Sequence, residues 1–330
     1  MQPIRIGILG AGAMGAEHAY CYGLIDGAEV AGVFSRDLAR AGKLAGESGA
    51  RATADAPSLI DDPAVDAIDV CVPSASHAAV VVRALEQGKH VFCETPLTLD
   101  PAEGRRMRDA ARHAGRLLQV GLLTRSIGAC GLVRQAVETG EHGRLLSLTT
   151  HRLGSYLRAG APDHKDHYSD PSTELMTFDF DFAGWLMGPP KRVVASAVST
   201  PQGLGEISAL LDYDDGRSAT VLASGLMPAT YPFSVGFRAL FETALIVSEA
   251  VFSEAGPPKA ALNVYPQTGE PWRPDTPAAN PYQLELERFV ACIRGTADPA
   301  LLDVDNALAA LTLSIATQTS LSERRPVELG

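Results

Sequence analysis

The chain reads as a two-domain α/β protein. Residues 1–123 are expected to form an N-terminal Rossmann domain, a doubly wound parallel sheet. Residues 124–330 are expected to form an α+β domain on a large, mostly antiparallel open sheet. Three observations predict this. An apolar strand runs straight into the turn Gly10-Ala11-Gly12-Ala13-Met14-Gly15, strands and helices then alternate to about residue 123, and beyond residue 139 the strands lengthen and follow one another directly. At 330 residues the chain is too long for one small core and suits two domains.

The elements follow in order from periodicity and punctuation. Ile4–Leu9 is an apolar strand, Met14 to about Ile25 a helix, Glu29–Phe34 a strand and Leu38–Gly46 a helix opened by Asp37 as N-cap. Strand Ala67–Val72, helix Ala75–Gln87, strand His90–Cys93, helix Pro101–Ala114 and strand Leu117–Leu122 complete the alternation, and Ile127–Thr139 is a further helix. The second domain then reads as strands Leu145–Leu153, Val193–Ala197, Glu206–Tyr213, Ser218–Ser224, Val235–Phe241 and Ala244–Val247. Asp214-Asp215-Gly216 is a hairpin turn between two of them. Helices are expected at Ser172–Leu186, Tyr282–Ile293 and Asp303–Ser320, the last packing back towards the first domain, with Pro-rich loops at Gly256–Pro258 and Pro266–Pro281.

The glycine turn carries chemistry. In G-x-G-x-x-G between a strand and a helix, the first glycine permits the tight turn, the second lets the backbone approach a pyrophosphate, and the third lets the helix pack closely on the strand. Gly10, Gly12 and Gly15 occupy those places, and Ala11, Ala13 and Met14 lie between them, so a dinucleotide is expected on the helix N-terminus. Twenty positions on, where an acidic residue would bind the ribose hydroxyls, stand Ser35 and Arg36. A hydroxyl and a guanidinium accept a 2′-phosphate that a carboxylate would repel, which favours NADP(H) and leaves NAD(H) open.

Composition excludes several other classes. A net charge of −11 offers no basic face for nucleic acid or an anionic membrane. No apolar run reaches the ~18 residues of a membrane span, and the N-terminus carries no cleavable signal pattern. Cys21, Cys71, Cys93, Cys130 and Cys292 form no C-x-x-C pair and read as the reduced thiols of a cytoplasmic protein.

Over nearly its full length the chain resembles the glucose-fructose oxidoreductase, inositol dehydrogenase and MocA (Gfo/Idh/MocA) family. The glycine turn matches the family's cofactor loop, Cys71-Val72-Pro73-Ser74-Ala75-Ser76-His77 its strand-end segment, and Glu94-Thr95-Pro96 its Glu-Lys-Pro. Gln119-Val120-Gly121 with Arg125 is similar to the segment leaving the nucleotide domain, and Asp179 to Gly188 to the helix after the family's catalytic Asp and His. The resemblance implies a tightly held NAD or NADP, commonly in dimers or tetramers. It also implies cofactor contacts at Val72, Pro73, Ser74, His77, Glu94, Thr95 and Gln119, and substrate contacts at Arg125 and Phe178; Tyr156, just beyond a strand leaving the core, is a further candidate to face the substrate.

The resemblance also implies departures. Thr95 stands where the family has its lysine and Phe178 where it has a histidine, while Glu174 keeps a carboxylate four positions earlier. Alcohol oxidation needs a proton acceptor and carbonyl reduction a donor. Thr95 can orient an oxygen but is a poor base, and Phe178 transfers no proton. Asp170-Pro171 opens the helix as N-cap and first residue, which places Glu174 in the first turn, on the face of Phe178. The loop Asp163-His164-Lys165-Asp166-His167-Tyr168 is the other store of proton chemistry, through His167 or Tyr168, and its histidine spacing is too weak for a metal site.

The expected function is therefore NAD(P)-dependent hydride transfer to or from a small hydroxyl or carbonyl compound, with a sugar, cyclitol or related ring leading. Two alternatives stay open: an enzyme that oxidises a sugar carbon transiently for an elimination, and a nicotinamide-binding regulatory protein without catalysis. No nucleic-acid or membrane partner is expected, and a homodimer or homotetramer is.

Overall fold

The computed structural model describes residues 2–155, 171–201, 203–252, 259–276 and 279–329. Two compact units divide the chain: Met1–Ser126 with Ala278–Leu308, and Ile127–Pro277 with Ala309–Gly330. The first unit therefore takes a second segment from within the stretch 124–330. Among the described residues no helix is long and apolar enough to cross a membrane.

In the first unit, β1 (Ile4–Leu9), α1 (Ala13–Leu24), β2 (Ala28–Phe34), α2 (Leu38–Ser48), β3 (Arg51–Thr53), α3 (Ala56–Ile60), β4 (Ala67–Val70), α4 (His77–Glu86), β5 (His90–Cys93), α5 (Pro101–Ala114) and β6 (Leu118–Val120) follow in alternation. The strands form one parallel sheet in the order β3-β2-β1-β4-β5-β6. Central strands covered on both faces must be apolar throughout, and Ile6, Ile8, Leu9, Ile68, Val70, Val91 and Phe92 are all fully buried. Strand order reverses between β1 and β4, and ligands of such sheets bind outside the strand ends at that reversal. Helix boundaries follow local chemistry. Asp37 caps α2, accepting from the N–H groups of Ala39 at 3.0 Å and Arg40 at 3.3 Å, and Asp100 caps α5 ahead of Pro101.

The second unit carries α6 (Gly128–Thr139), β7 (Leu145–Leu153), α7 (Pro171–Glu174), α8 (Thr177–Met187), β8 (Arg192–Thr200), β9 (Gly203–Asp212), β10 (Ser218–Ser224), β11 (Phe233–Phe241), β12 (Ala244–Phe252) and β13 (Lys259–Pro266). α9 (Pro281–Ile293) belongs to the first unit, α10 (Val304–Glu323) begins in the first and ends in the second, and β14 (Val327–Glu328) closes the second. The eight strands run β13-β12-β11-β7-β10-β9-β8-β14, antiparallel except for β7 beside β10. Register sorts the faces. Leu211, Ala219, Leu148, Ala239, Ile246 and Val264 share one row and are all buried. On that side Phe237 meets Phe182 of α8, ring centroids 5.3 Å apart. Leu210, Leu240 and Tyr265 lie on the opposite face and stay exposed.

Besides the short closing strand β14, the structure departs from the expected elements at three places. β3 and α3, three and five residues long, were not expected as elements. β13 occupies a stretch where only flanking Pro-rich loops were anticipated. The single helix expected at Ser172–Leu186 is two, because Met176 N–H reaches back to the Pro171 carbonyl in a wide turn and Leu175 and Met176 are both buried at the break. The one-turn relation expected between Glu174 and Phe178 on a continuous helix is thereby lost.

Candidate functional site

The glycine turn is built as the sequence requires, each glycine for its own reason. Gly10 has φ +128, and a Cβ there would lie 2.5 Å from the Cys71 carbonyl oxygen at the end of β4. A Cβ on Gly15 would lie 2.0 Å from the Gly10 carbonyl oxygen, so α1 packs directly on the turn. At Gly12 a Cβ would meet nothing within 4 Å. Protein packing demands glycine at the first and third places, while the second is open, as close approach by a phosphate requires. Gly12 also caps α1 without a side-chain hydrogen bond, which leaves the first-turn N–H groups of Ala13, Met14 and Gly15 without a side-chain cap. The residues present fit a dinucleotide's pyrophosphate.

At the end of β2, Ser35 is half-buried and its Oγ accepts from the Asp37 N–H at 3.2 Å. Asp37 is committed to the α2 cap. Arg36 is exposed and forms no ion pair among the described residues, so its guanidinium is available to an incoming anion.

The β4 and β5 ends are tied together from beneath. His77 is buried, its Nε2 donating to the Val72 carbonyl at 2.7 Å and its Nδ1 lying 3.3 Å from Cys93 Sγ and 3.1 Å from the Leu97 carbonyl. Burial holds the imidazole below its usual range, hence neutral, and its Nδ1 accepts a hydrogen bond from the Cys93 thiol, which burial pushes up and so keeps protonated. The side chain expected to face a cofactor thus fixes the turn Val72-Pro73-Ser74 instead. Gln119 is similarly placed: its Nε2 donates to the Pro299 carbonyl at 3.2 Å and to Cys292 Sγ at 3.4 Å, away from the strand end. Arg125 donates to the Leu301 carbonyl at 3.0 Å. Thr95 donates its hydroxyl to the Gly121 carbonyl at 2.7 Å, joining the ends of β5 and β6, and its N–H donates to Glu94 Oε2 at 3.0 Å. A hydroxyl so committed orients the loop and is not a base.

Beneath Glu94 lies a polar cluster that sequence reasoning did not find. His18 on α1, fully buried, sets Nδ1 2.8 Å from Asp69 Oδ2 at the end of β4 and Nε2 2.9 Å from Glu94 Oε1. The second contact is off the hydrogen-bonding line, so both atoms remain without a hydrogen-bond partner among the described residues. Asp69 holds the imidazole well above its usual range against the opposing effect of burial. Glu285 on α9 is fully buried with neither carboxyl oxygen hydrogen-bonded among the described residues, and burial followed by Glu94 pushes its carboxyl well up. The only signals in the sequence are a histidine three residues after Gly15 and a glutamate at an apolar position of α9, beside Leu286 and Phe289.

In the second unit Glu174 ends α7 and is half-buried. Phe178, the second residue of α8, lies under the Arg152 guanidinium, 4.7 Å from the ring centroid. Arg152, from β7, also donates from Nε to Asp179 Oδ2 at 2.6 Å. Burial pushes the Asp179 carboxyl up and Arg152 opposes it. A buried carboxylate stripped of its partner costs about 3–5 kcal/mol, so Arg152 anchors the start of α8. Tyr156, His167 and Tyr168 lie outside the described residues.

Comparison with known proteins bears on both units. The model of the GFO/IDH/MocA oxidoreductase family, NAD-binding Rossmann fold, matches residues 4–122, and that of the GFO/IDH/MocA C-terminal domain matches residues 132–247. The chain is 26% identical to the scyllo-inositol 2-dehydrogenase (NAD(+)) of Bacillus subtilis, covering 99% of this chain and 96% of that protein. It is 31% identical to the inositol 2-dehydrogenase of Corynebacterium glutamicum, covering 73% of this chain and 72% of the other. The crystal structure of the UDP-N-acetylglucosamine 3-dehydrogenase of Acidithiobacillus ferrooxidans superposes with a TM-score of 0.83 at 24% identity, over 98% of this chain and 99% of that one, a likeness of fold.

Proposed function

The chain belongs to the GFO/IDH/MocA oxidoreductase family, and from that premise we propose that it transfers hydride between a bound nicotinamide and a ring hydroxyl or carbonyl of a cyclitol or sugar. The observation that carries the reading is the turn at Gly12, open to a phosphate while Gly10 and Gly15 are locked by packing. The names of the relatives, inositol dehydrogenases, support the ring substrate. Assays against cyclitols, sugars and sugar lactones, followed by nicotinamide absorbance, test it.

Ser35 and Arg36 are the pair that would hold a 2′-phosphate, which supports NADP(H) as the preferred cofactor. When bound, the nicotinamide supplies the hydride chemistry. The Ala13, Met14 and Gly15 N–H groups bind the pyrophosphate, and Glu94 with Thr95 shapes the strand end beside it. Because Thr95 is bonded to the Gly121 carbonyl and Phe178 is apolar, the proton falls to Glu174 or to the His167-Tyr168 pair, with Arg125 and Tyr156 as further substrate contacts.

The exposed apolar side chains Leu210, Leu240 and Tyr265 on one face of the second sheet support self-association. Light scattering at micromolar concentration should report a dimer or tetramer. A strict monomer contradicts this.

A further inference from the structure

The buried cluster in the first unit holds three carboxyl groups and one imidazole, and this composition decides its protonation. One side-chain nitrogen or oxygen each of His18, Glu94 and Glu285 lies within 4.8 Å of the others, and His18 is clamped by Asp69 on its other nitrogen. The groups facing Glu285 are Glu94, His18 and Asp69, with Glu17, Cys21 and Tyr22 of α1 nearby and Tyr282 on its own helix. Of the 3-10 turns packed on α9, Arg125 is turned to the Leu301 carbonyl and Pro299–Leu302 carries no titratable side chain. Among the described residues that face Glu285, His18 is thus the one cation opposing three carboxyl groups, and charge buried without compensation is expensive. Four atoms, Glu285 Oε1 and Oε2, Glu94 Oε1 and His18 Nε2, meet here without hydrogen-bond partners among the described residues. A buried acceptor left so costs free energy unless a donor is present.

We propose that Glu285 is kept as a neutral carboxylic acid whose hydroxyl donates to Glu94, so that one shared proton holds Glu94-Thr95 in place at the end of β5. Glu285 and His18 are then positioning residues. They act on a cofactor through the strand end: Glu94 receives the proton on one oxygen and the Thr95 N–H on the other, and Thr95 is tied to Gly121. Only the Glu94 side chain reaches the surface, 14% exposed. The proton therefore sits directly under the strand end that the proposed function sets beside the cofactor, and that consequence for binding rests on the cofactor reading.

The pH consequence has a fixed sign. Glu285 and His18 both titrate higher in the folded chain than in an unfolded one. Their stabilisation is complete below the unfolded value of each and is lost as pH rises through the folded value. Glu285→Gln keeps a neutral donor to Glu94 and abolishes the titration, while His18 contributes equally to both proteins.

Urea unfolding of the whole chain from pH 5 to pH 9 should give wild type a steeper loss of stability with pH than Glu285→Gln, the difference corresponding to about one proton. Wild type at neutral pH should also show the infrared carbonyl band of a buried protonated carboxyl, absent in the Gln variant. Titration with NADPH by fluorescence should show affinity falling as pH rises in wild type. It should be flat in Glu285→Gln and lower at every pH, by about tenfold or more, in Glu285→Leu, which cannot donate. Equal pH slopes in wild type and Glu285→Gln, no protonated-carboxyl band in wild type, or a stoichiometric divalent ion by elemental analysis each overturn the proposal. If no variant binds NADPH or NADH, the cofactor reading fails while the unfolding and infrared arms still decide the proton.

Discussion

Single-turnover hydride transfer should fall by ~10²–10⁴-fold when the residue that handles the substrate proton is removed, the usual worth of a general acid or base. The candidates are Glu174, His167 and Tyr168, tested as Glu174→Gln, His167→Ala and Tyr168→Phe. Thr95→Ala should cost far less. Its hydroxyl donates to the Gly121 carbonyl, so the change removes about one hydrogen bond, ~0.5–1.5 kcal/mol. Cofactor affinity should stay near wild type in the first three, since none is assigned to the phosphates. If Thr95→Ala is the most damaged and the other three are near normal, the proton is handled at the end of β5 and the assignment to the second unit is wrong.

NADPH should bind more tightly than NADH. A charge-assisted pair between Arg36 and a 2′-phosphate is worth about 1.5–3 kcal/mol, or roughly 10–150-fold. Asp37, the nearest carboxylate in sequence, is spent on the α2 N-cap, and Arg36 has no ion-pair partner among the described residues to compete with the phosphate. Calorimetric titration should find that Arg36→Ala erases most of the gap. A wild type that prefers NADH, or an Arg36→Ala variant that keeps the preference, removes Ser35 and Arg36 from the account.

Much of the first unit was legible because its signals are local. The glycine turn, the caps at Asp37 and Asp100 and the alternation of apolar strands with amphipathic helices each lie within about 15 residues of chain. What was not legible is short or long-range. β3 and α3 are too brief for a period to register, and β13 is masked by prolines on both sides. The break between Glu174 and Phe178 comes from burial of Leu175 and Met176, which a helical pattern absorbs without a sign. The site divides the same way. The turn that fits a pyrophosphate is one contiguous motif, whereas His18, Asp69, Glu94 and Glu285 come from four elements and converge only in the fold. His77 and Gln119 match family positions by spacing, yet their side chains hold the backbone together, a distinction that spacing cannot carry.

The central claim is hydride transfer with a ring alcohol. Its most direct test is nicotinamide absorbance measured with NADP and NADPH against cyclitols, sugars, sugar lactones and small aldehydes. The account predicts cofactor-dependent turnover with at least one cyclitol or sugar. Product formation with no net absorbance change would mean that the nicotinamide is only transiently reduced, and tight cofactor binding with no product from any substrate would contradict the enzyme reading altogether.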